Sequence, residues 1–413
     1  MTRSPARATP CRRSRSRHVR HAIAASATLL ALAGCATPST ASKPTPDALS
    51  NSGSDATAGP SGATGTARGS STGPNGALSH APTRESATPA ISPAEIPKIA
   101  WIDGVAAADG TKGVWIAAEA HGGGALLLRY PVDGSGDAPT AAWRGRELDA
   151  AAVDGHGDLW VADGSAGQLE EFTPASLTHG VVDAADATAS VTGLHGVSTI
   201  AIAPTGDIWA GVPVWNDEPD GQALAYSPGS IRGTVHYYAA RAAITEIGGP
   251  AAITVDTSGG VWLATYENDD DPPALIRCSG SLTAAPPAYS STGQPAHPFY
   301  GCATVLGSTE PAAATTDSAG NVWIADQNDA GDGALVEYRA GSLDEIHRTL
   351  VASDCQPDRL APAPDGALWV GCADMSVGTG TTVWTARFTA SALEGSAINK
   401  SGADVVFKPP AAG

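Results

Sequence analysis

The 413-residue chain has a formal net charge of −18, with 16% charged and 5% aromatic residues. Such acidity repels nucleic acid and anionic headgroups, which excludes DNA and RNA as partners. It favours a soluble, self-repelling chain and names no ligand.

Residues 1–34 hold Arg3, Arg7, Arg12, Arg13, Arg15, Arg17 and Arg20 and no acid, followed by an apolar run from Ala22 to Leu32. Basic, then apolar, then small residues is the order of a secretory signal. The run is shorter than the ~20 apolar residues of a spanning helix. It ends in Leu32-Ala33-Gly34-Cys35, which resembles the lipobox of bacterial lipoproteins. That resemblance implies cleavage before Cys35 and a diacylglycerol on its thiol, making the lipid the membrane anchor. Ala36, in place of an Asp, points to an outer membrane facing the periplasm in a two-membrane cell, and otherwise to the cell surface. Removing the leader takes the formal charge from −18 to −25.

Residues 35–95 are mostly Ala, Ser, Thr, Pro and Gly. They have no spaced apolar face with which to offset chain entropy, so a disordered stalk is expected. As a Gly-rich coil it would span roughly 40–46 Å.

From residue 96 to 408 one phrase recurs, with a short tail at 409–413. A run of small apolar residues leads to a turn, and a strand carrying Trp follows: Trp115, Trp160, Trp209, Trp262, Trp323 and Trp369, at spacings of 45, 49, 53, 61 and 46. A motif at this period signals a repeat architecture. The small first run suits a strand crowded against an axis. The turn, as in Asp256-Thr257-Ser258-Gly259, lets glycine reverse the chain. Third strands follow, such as Gln168–Phe172 and Ala334–Tyr338, and a fourth is read at Thr234–Tyr238. Four antiparallel strands per unit predict an all-β, six-bladed propeller. The repeated tryptophans read as packing wedges between blades. Trp101, Trp143, Trp215 and Trp384 fall outside the register, and Trp215 sits in a polar loop as a binding candidate.

The phrase Pro250-Ala251-Ala252-Ile253-Thr254-Val255-Asp256, then Gly259, Val261 and Trp262, resembles NHL-type and virginiamycin B lyase-like propeller repeats. The resemblance covers essentially residues 100–408. It implies the architecture far more firmly than an activity.

The mature chain keeps Cys278, Cys302, Cys355 and Cys372. In an exported protein these favour disulfides, with three connectivities open; the repeat register favours Cys278 with Cys302 and Cys355 with Cys372. No C-x-x-C pair argues for a thiolate metal site.

In propellers of this type the ligand rim combines loops entering the innermost strands with loops joining second and third strands. The entry loops offer Asp103, Glu147, His195, Glu246, Glu310, Gln356 and Asp358. The second set repeats an acidic phrase, supplying Asp217, Asp220, Asp269, Asp271, Asp329 and Asp332. These oxygens suit Ca2+ or Mg2+, and the same residue types are also plain turn formers. The virginiamycin B lyase-like resemblance implies Mg2+ with a His and Glu pair. The matching candidates are Glu119 with His121 and Glu147 with His195. His156, on the opposite rim, reads as inert. No nucleophile elbow, P-loop or dinucleotide fingerprint occurs.

Two functions are therefore expected from the sequence. One is a lipid-anchored binding or scaffold propeller whose rim takes a protein, glycan or small molecule. The other is a metal-dependent lyase or lactonase opening a cyclic ester.

Overall fold

A computed structural model describes residues 99–109, 113–132, 138–213, 221–265, 273–279, 301–305, 310–327, 333–351, 355–363, 365–373 and 384–407. The leader, Cys35 and the segment read as a stalk lie outside these residues.

The described residues form six sheets, one per repeat. The first three blades run Ile99–Ala108, Val114–Ala120, Ala125–Tyr130, Ala141–Gly145; Ala150–Val153, Leu159–Asp163, Gln168–Phe172, Ala189–Thr192; and Thr199–Ile202, Ile208–Val212, Gly221–Tyr226, Ala242–Ile247. The last three run Pro250–Val255, Val261–Thr265, Ala274–Cys278, Cys302–Val305; Glu310–Thr316, Val322–Gln327, Gly333–Tyr338, Glu345–Val351; and Gln356–Pro362, Leu368–Ala373, Trp384–Phe388, Val405–Phe407. Each innermost strand packs on the next, and that of blade six meets that of blade one. The ring is closed.

The apolar core is divided among the seams. Each of six buried clusters joins two neighbouring blades, and each contains the repeat Trp of the earlier blade. Trp115, Trp160, Trp209, Trp262 and Trp369 are at most 1% exposed. One such side chain buries 150–250 Å2, worth about 4–6 kcal/mol gross. The wedge reading of these residues therefore holds at every seam. At the closing seam Trp369 packs among blade-one residues such as Val114 and Leu128, and the Tyr130 and Phe407 rings meet edge-on at 4.7 Å.

The turn between first and second strands explains why Asp and Trp recur together. In blade four Asp256 Oδ1 accepts the Ser258 and Gly260 N–H groups at 2.9 Å each, while Oδ2 accepts the Trp262 indole N–H at 3.0 Å. Gly259 takes φ 82°, which the reversal requires. In blade five Asp317 likewise receives Ala319, Asn321 and Trp323. Arg277 adds a hydrogen bond to Asp256 and lies over the Trp262 ring. Burial pushes the Asp256 carboxyl up, but hydrogen bonds from Ser258, Trp262, Gly260 and Arg277 outweigh it and hold the group below the ordinary carboxylate range.

Two features differ from the sequence reading. Residues 234–238 are not the fourth strand of blade three. Gly233–His236 instead pairs in parallel with Ala189–Thr192 of blade two, and Ala242–Ile247 completes blade three. The reason is burial: Ala243 and Ile244 enter the core, whereas Gly233–His236 is largely exposed. Three blades also gain a fifth, parallel strand donated by the following blade. Val181–Val182 extends blade one, Gly233–His236 blade two and Ala397–Ile398 blade five. These short strands cover edges that would otherwise offer unpaired backbone groups. The Cys278–Cys302 and Cys355–Cys372 disulfides are both present, the first between directly opposed residues of neighbouring strands.

Replacing Asp256 by Ala removes the acceptor of three backbone donors, one hydroxyl, one indole and one guanidinium. The variant should lose about 3–5 kcal/mol at neutral pH, the cost of breaking a buried pair. Because the folded-state value is depressed, this gap is full above the ordinary carboxylate range and closes as pH falls through the folded value. Urea unfolding of both proteins at several pH values measures it, and a neutral-pH loss below about 1 kcal/mol would contradict the turn's structural role.

Candidate channel-mouth site

Small side chains on the innermost strands leave space around the axis. Ala150, Ala201, Ala252, Ala313 and Ala361 line a central cavity of about 220 Å3, together with Thr199, Thr254 and Thr315. Three charged residues also line it: Asp149, Asp358 and Arg359.

Asp149 stands where the chain enters the innermost strand of blade two. Its own N–H donates to the Ala162 carbonyl at 3.1 Å, which fixes the backbone. Its Oδ2 accepts the Gly164 N–H at 2.8 Å from the loop linking the second and third strands. Gly164 is required there, because a Cβ would collide with that carboxylate oxygen. Burial pushes the Asp149 carboxyl up to about 7; Glu147 adds to the rise, and the Gly164 N–H and Arg359 oppose it.

Arg359 interrupts the small-residue inner strand of blade six. Its Nη1 donates to the Asp149 carbonyl at 3.2 Å, across 210 residues of sequence. This contact joins blades six and two past the first blade. It commits one guanidinium N–H, and Arg359 has no other hydrogen-bond or ion-pair partner among the described residues. The mouth thus combines a carboxyl group that can hold a proton at neutral pH with guanidinium donors facing a small cavity.

The rim candidates from the sequence fall in several places. Asp358 lines the cavity with Asp149 and Arg359. Glu147 is half-buried and close enough to Asp149 to raise its pKa. Glu310 and Gln356 each begin an innermost strand, and the Glu310 N–H donates to Asp326 Oδ1 at 3.2 Å. Glu119 is half-buried opposite Ala125, and His121 follows in the exposed turn. His121 borders a separate crevice of about 490 Å3 between blades one and two, with Arg144, Arg146, Asp163 and Gln168. His195 is exposed beyond the outermost strand of blade two. Neither histidine lines the central cavity. Trp215, Asp217, Asp220, Asp269, Asp271, Asp329 and Asp332 lie outside the described residues, as do the side chains of Asp103 and Glu246.

Asp149 and Arg359 are the residues that sequence reading passed over. A signal existed for the arginine: it is a charge within an inner strand otherwise small or apolar after Asp358. Asp149 precedes its strand by one position and looks like any loop acid.

No family model matches the chain, and no curated protein matches it. Solved structures are similar to it at low identity. A calcium-binding protein, regucalcin, from Agrobacterium tumefaciens is similar at 15% identity and TM-score 0.40, over 69% of this chain and 86% of that one. A streptogramin B lyase is similar at 13% identity and TM-score 0.33, over 74% and 89%. A protein of unknown function from Bacteroides caccae is similar at 14% identity and TM-score 0.39, over 65% and 87%. At this distance the likenesses assign no ligand and no reaction.

A carboxyl group raised by the fold favours folding most below its ordinary value of 3.8, and that contribution is lost as pH rises through about 7. Asp149→Asn should keep the acceptor for Gly164 and abolish this loss. Melting temperatures should therefore show the variant gaining on the native protein as pH rises across that window. Parallel curves would show that Asp149 is not held protonated.

Proposed function

We propose that the chain is a lipid-anchored, extracytoplasmic propeller that binds a small polar ligand at the channel mouth. The observation carrying this reading is the Asp149–Arg359 contact. It places a proton-holding carboxyl group and free guanidinium donors at one end of a small cavity. A ligand with a carbonyl or carboxylate toward Arg359 and a hydroxyl toward Asp149 satisfies both. A cavity of about 220 Å3 lies below the 300–1,000 Å3 of drug-sized sites, so the bound portion is small. The anchor in this reading is the lipid on Cys35, with residues 35–95 supplying reach from an outer membrane or cell surface.

A second reading, a lyase or lactonase opening a cyclic ester, draws support from one feature. A carboxyl group with a value near 7 suits a general acid or base at neutral pH. In that reading Asp149 moves the proton and Arg359 holds the ester carbonyl. Any Ca2+ or Mg2+ would rest on Asp217, Asp220, Asp269, Asp271, Asp329 and Asp332, as a Lewis acid.

Two measurements test the proposal. Cys35→Ala should move the protein from the membrane fraction to the soluble fraction, and unchanged retention would remove the lipid anchor. Denaturing the membrane-extracted protein should release a small molecule that is absent from Arg359→Ala and Asp149→Asn. Equal small-molecule content in all three would sink the binding site. Ring opening of lactones by the native chain, lost in Asp149→Asn, would select the enzyme.

A further inference from the structure

The turns joining first and second strands lie on the rim opposite Asp149. There the fold places acids and neutralises them. Arg129 meets Asp109 in blade one, Arg241 meets Asp207 in blade three, Arg277 meets Asp256 in blade four, and Arg387 meets Asp365 in blade six. Arg129, Arg277 and Arg387 share one register position, opposite the repeat Trp on the third strand. Blade five carries an acid at that position, Glu337, but Asn321 donates to it and Asp317 takes the indole N–H.

Blade two departs from this rule. The residue opposite Trp160 is Glu171. Its turn holds Asp154, His156 and Asp158, and no lysine or arginine pairs with them among the described residues. Asp154 Oδ1 accepts the His156 and Asp158 N–H groups at 2.8 and 3.0 Å, as its counterparts do. Its Oδ2 accepts from no described residue, although the side chain is only 5% exposed. In blades four and five that oxygen receives the indole N–H at 3.0 Å. Here the indole N–H of Trp160 is buried without an acceptor, as is that of Trp369 in blade six. Asp154 Oδ2 is thus left without a protein donor among the described residues, beside an imidazole and a second carboxylate.

We propose that this turn is a binding site for one divalent transition-metal ion of the Zn2+ class. Ligand atoms of Asp154, His156 and Asp158 lie within 4.8 Å of one another. The His156 side chain is 85% exposed, so it can swing inward without disturbing the core. An imidazole with two carboxylates selects Zn2+, Co2+ or Ni2+ over Ca2+ or Mg2+, which take oxygen ligands alone. The ion supplies the positive charge that arginine supplies in four other blades. Three protein ligands leave a position open to water or to a donor from another molecule. The site is independent of the channel mouth.

The test is calorimetric titration of the metal-free, tag-free full chain with Zn2+. One His156-dependent site is expected. His156→Ala should weaken it by roughly tenfold or more, and an exposed side chain of this kind can be removed without unfolding the blade. Glu171→Arg, which gives blade two the arginine that blades one, four and six carry at this position, should weaken it as well. Ca2+ and Mg2+ should show no His156-dependent heat. Absence of Zn2+ binding, or equal Zn2+ affinity in native protein and His156→Ala, would overturn the proposal.

Discussion

The structure depends on one tryptophan per seam. A propeller blade is a twisted sheet that cannot bury both faces by itself, and here the indole of each blade fills the gap to the next. Large wedges at the second strand match small residues at the first, so the blades taper toward the axis. The carboxylate of the preceding turn fixes the indole in blades four and five, tying the reversal of the chain to the packing of the seam. The same taper leaves the central cavity open. The functional surface is thus a consequence of how the core is packed.

Much of this was legible in the sequence, because it is periodic. Trp115 through Trp369 gave the blade count, and the runs before them gave the innermost strands. Placing the four cysteines in that register favoured, among three connectivities, the pairing the structure has. The failures were equally physical. A strand's sequence reports its pleat and exposure and does not name its partner, so residues 234–238 read as a strand of the wrong blade. The site was harder still. Arg359 and Asp149 are 210 residues apart and meet only because the ring closes. Neither belongs to the repeat, and no local spacing connects them. The rim histidines drew notice as chemistry-bearing residue types, yet His121 and His195 lie away from the cavity.

Differences between blades carry more information than their shared pattern. Repetition marks what every seam needs, while a residue breaking the repeat must answer to something else. Arg359 breaks the apolar inner strand and reaches across to blade two. Glu171 stands where blades one, four and six carry arginine, and no arginine pairs with Asp154 among the described residues. Gly164 is small because Asp149 leans over it. Each departure lies on one rim or the other, where the backbone is already fixed by the blades and side chains can vary at little cost to the fold.

Closure of the ring underlies the mouth, since an open array would separate Arg359 from Asp149. It is tested most directly by nuclear Overhauser contacts in the full chain, labelled at its four phenylalanines and eight tyrosines. The closed ring places the Phe407 ring of the last blade 4.7 Å from the Tyr130 ring of the first, so a strong cross-peak between them is the expected result. An ordered Phe407 with no contact to Tyr130 would contradict closure, and the shared mouth would go with it.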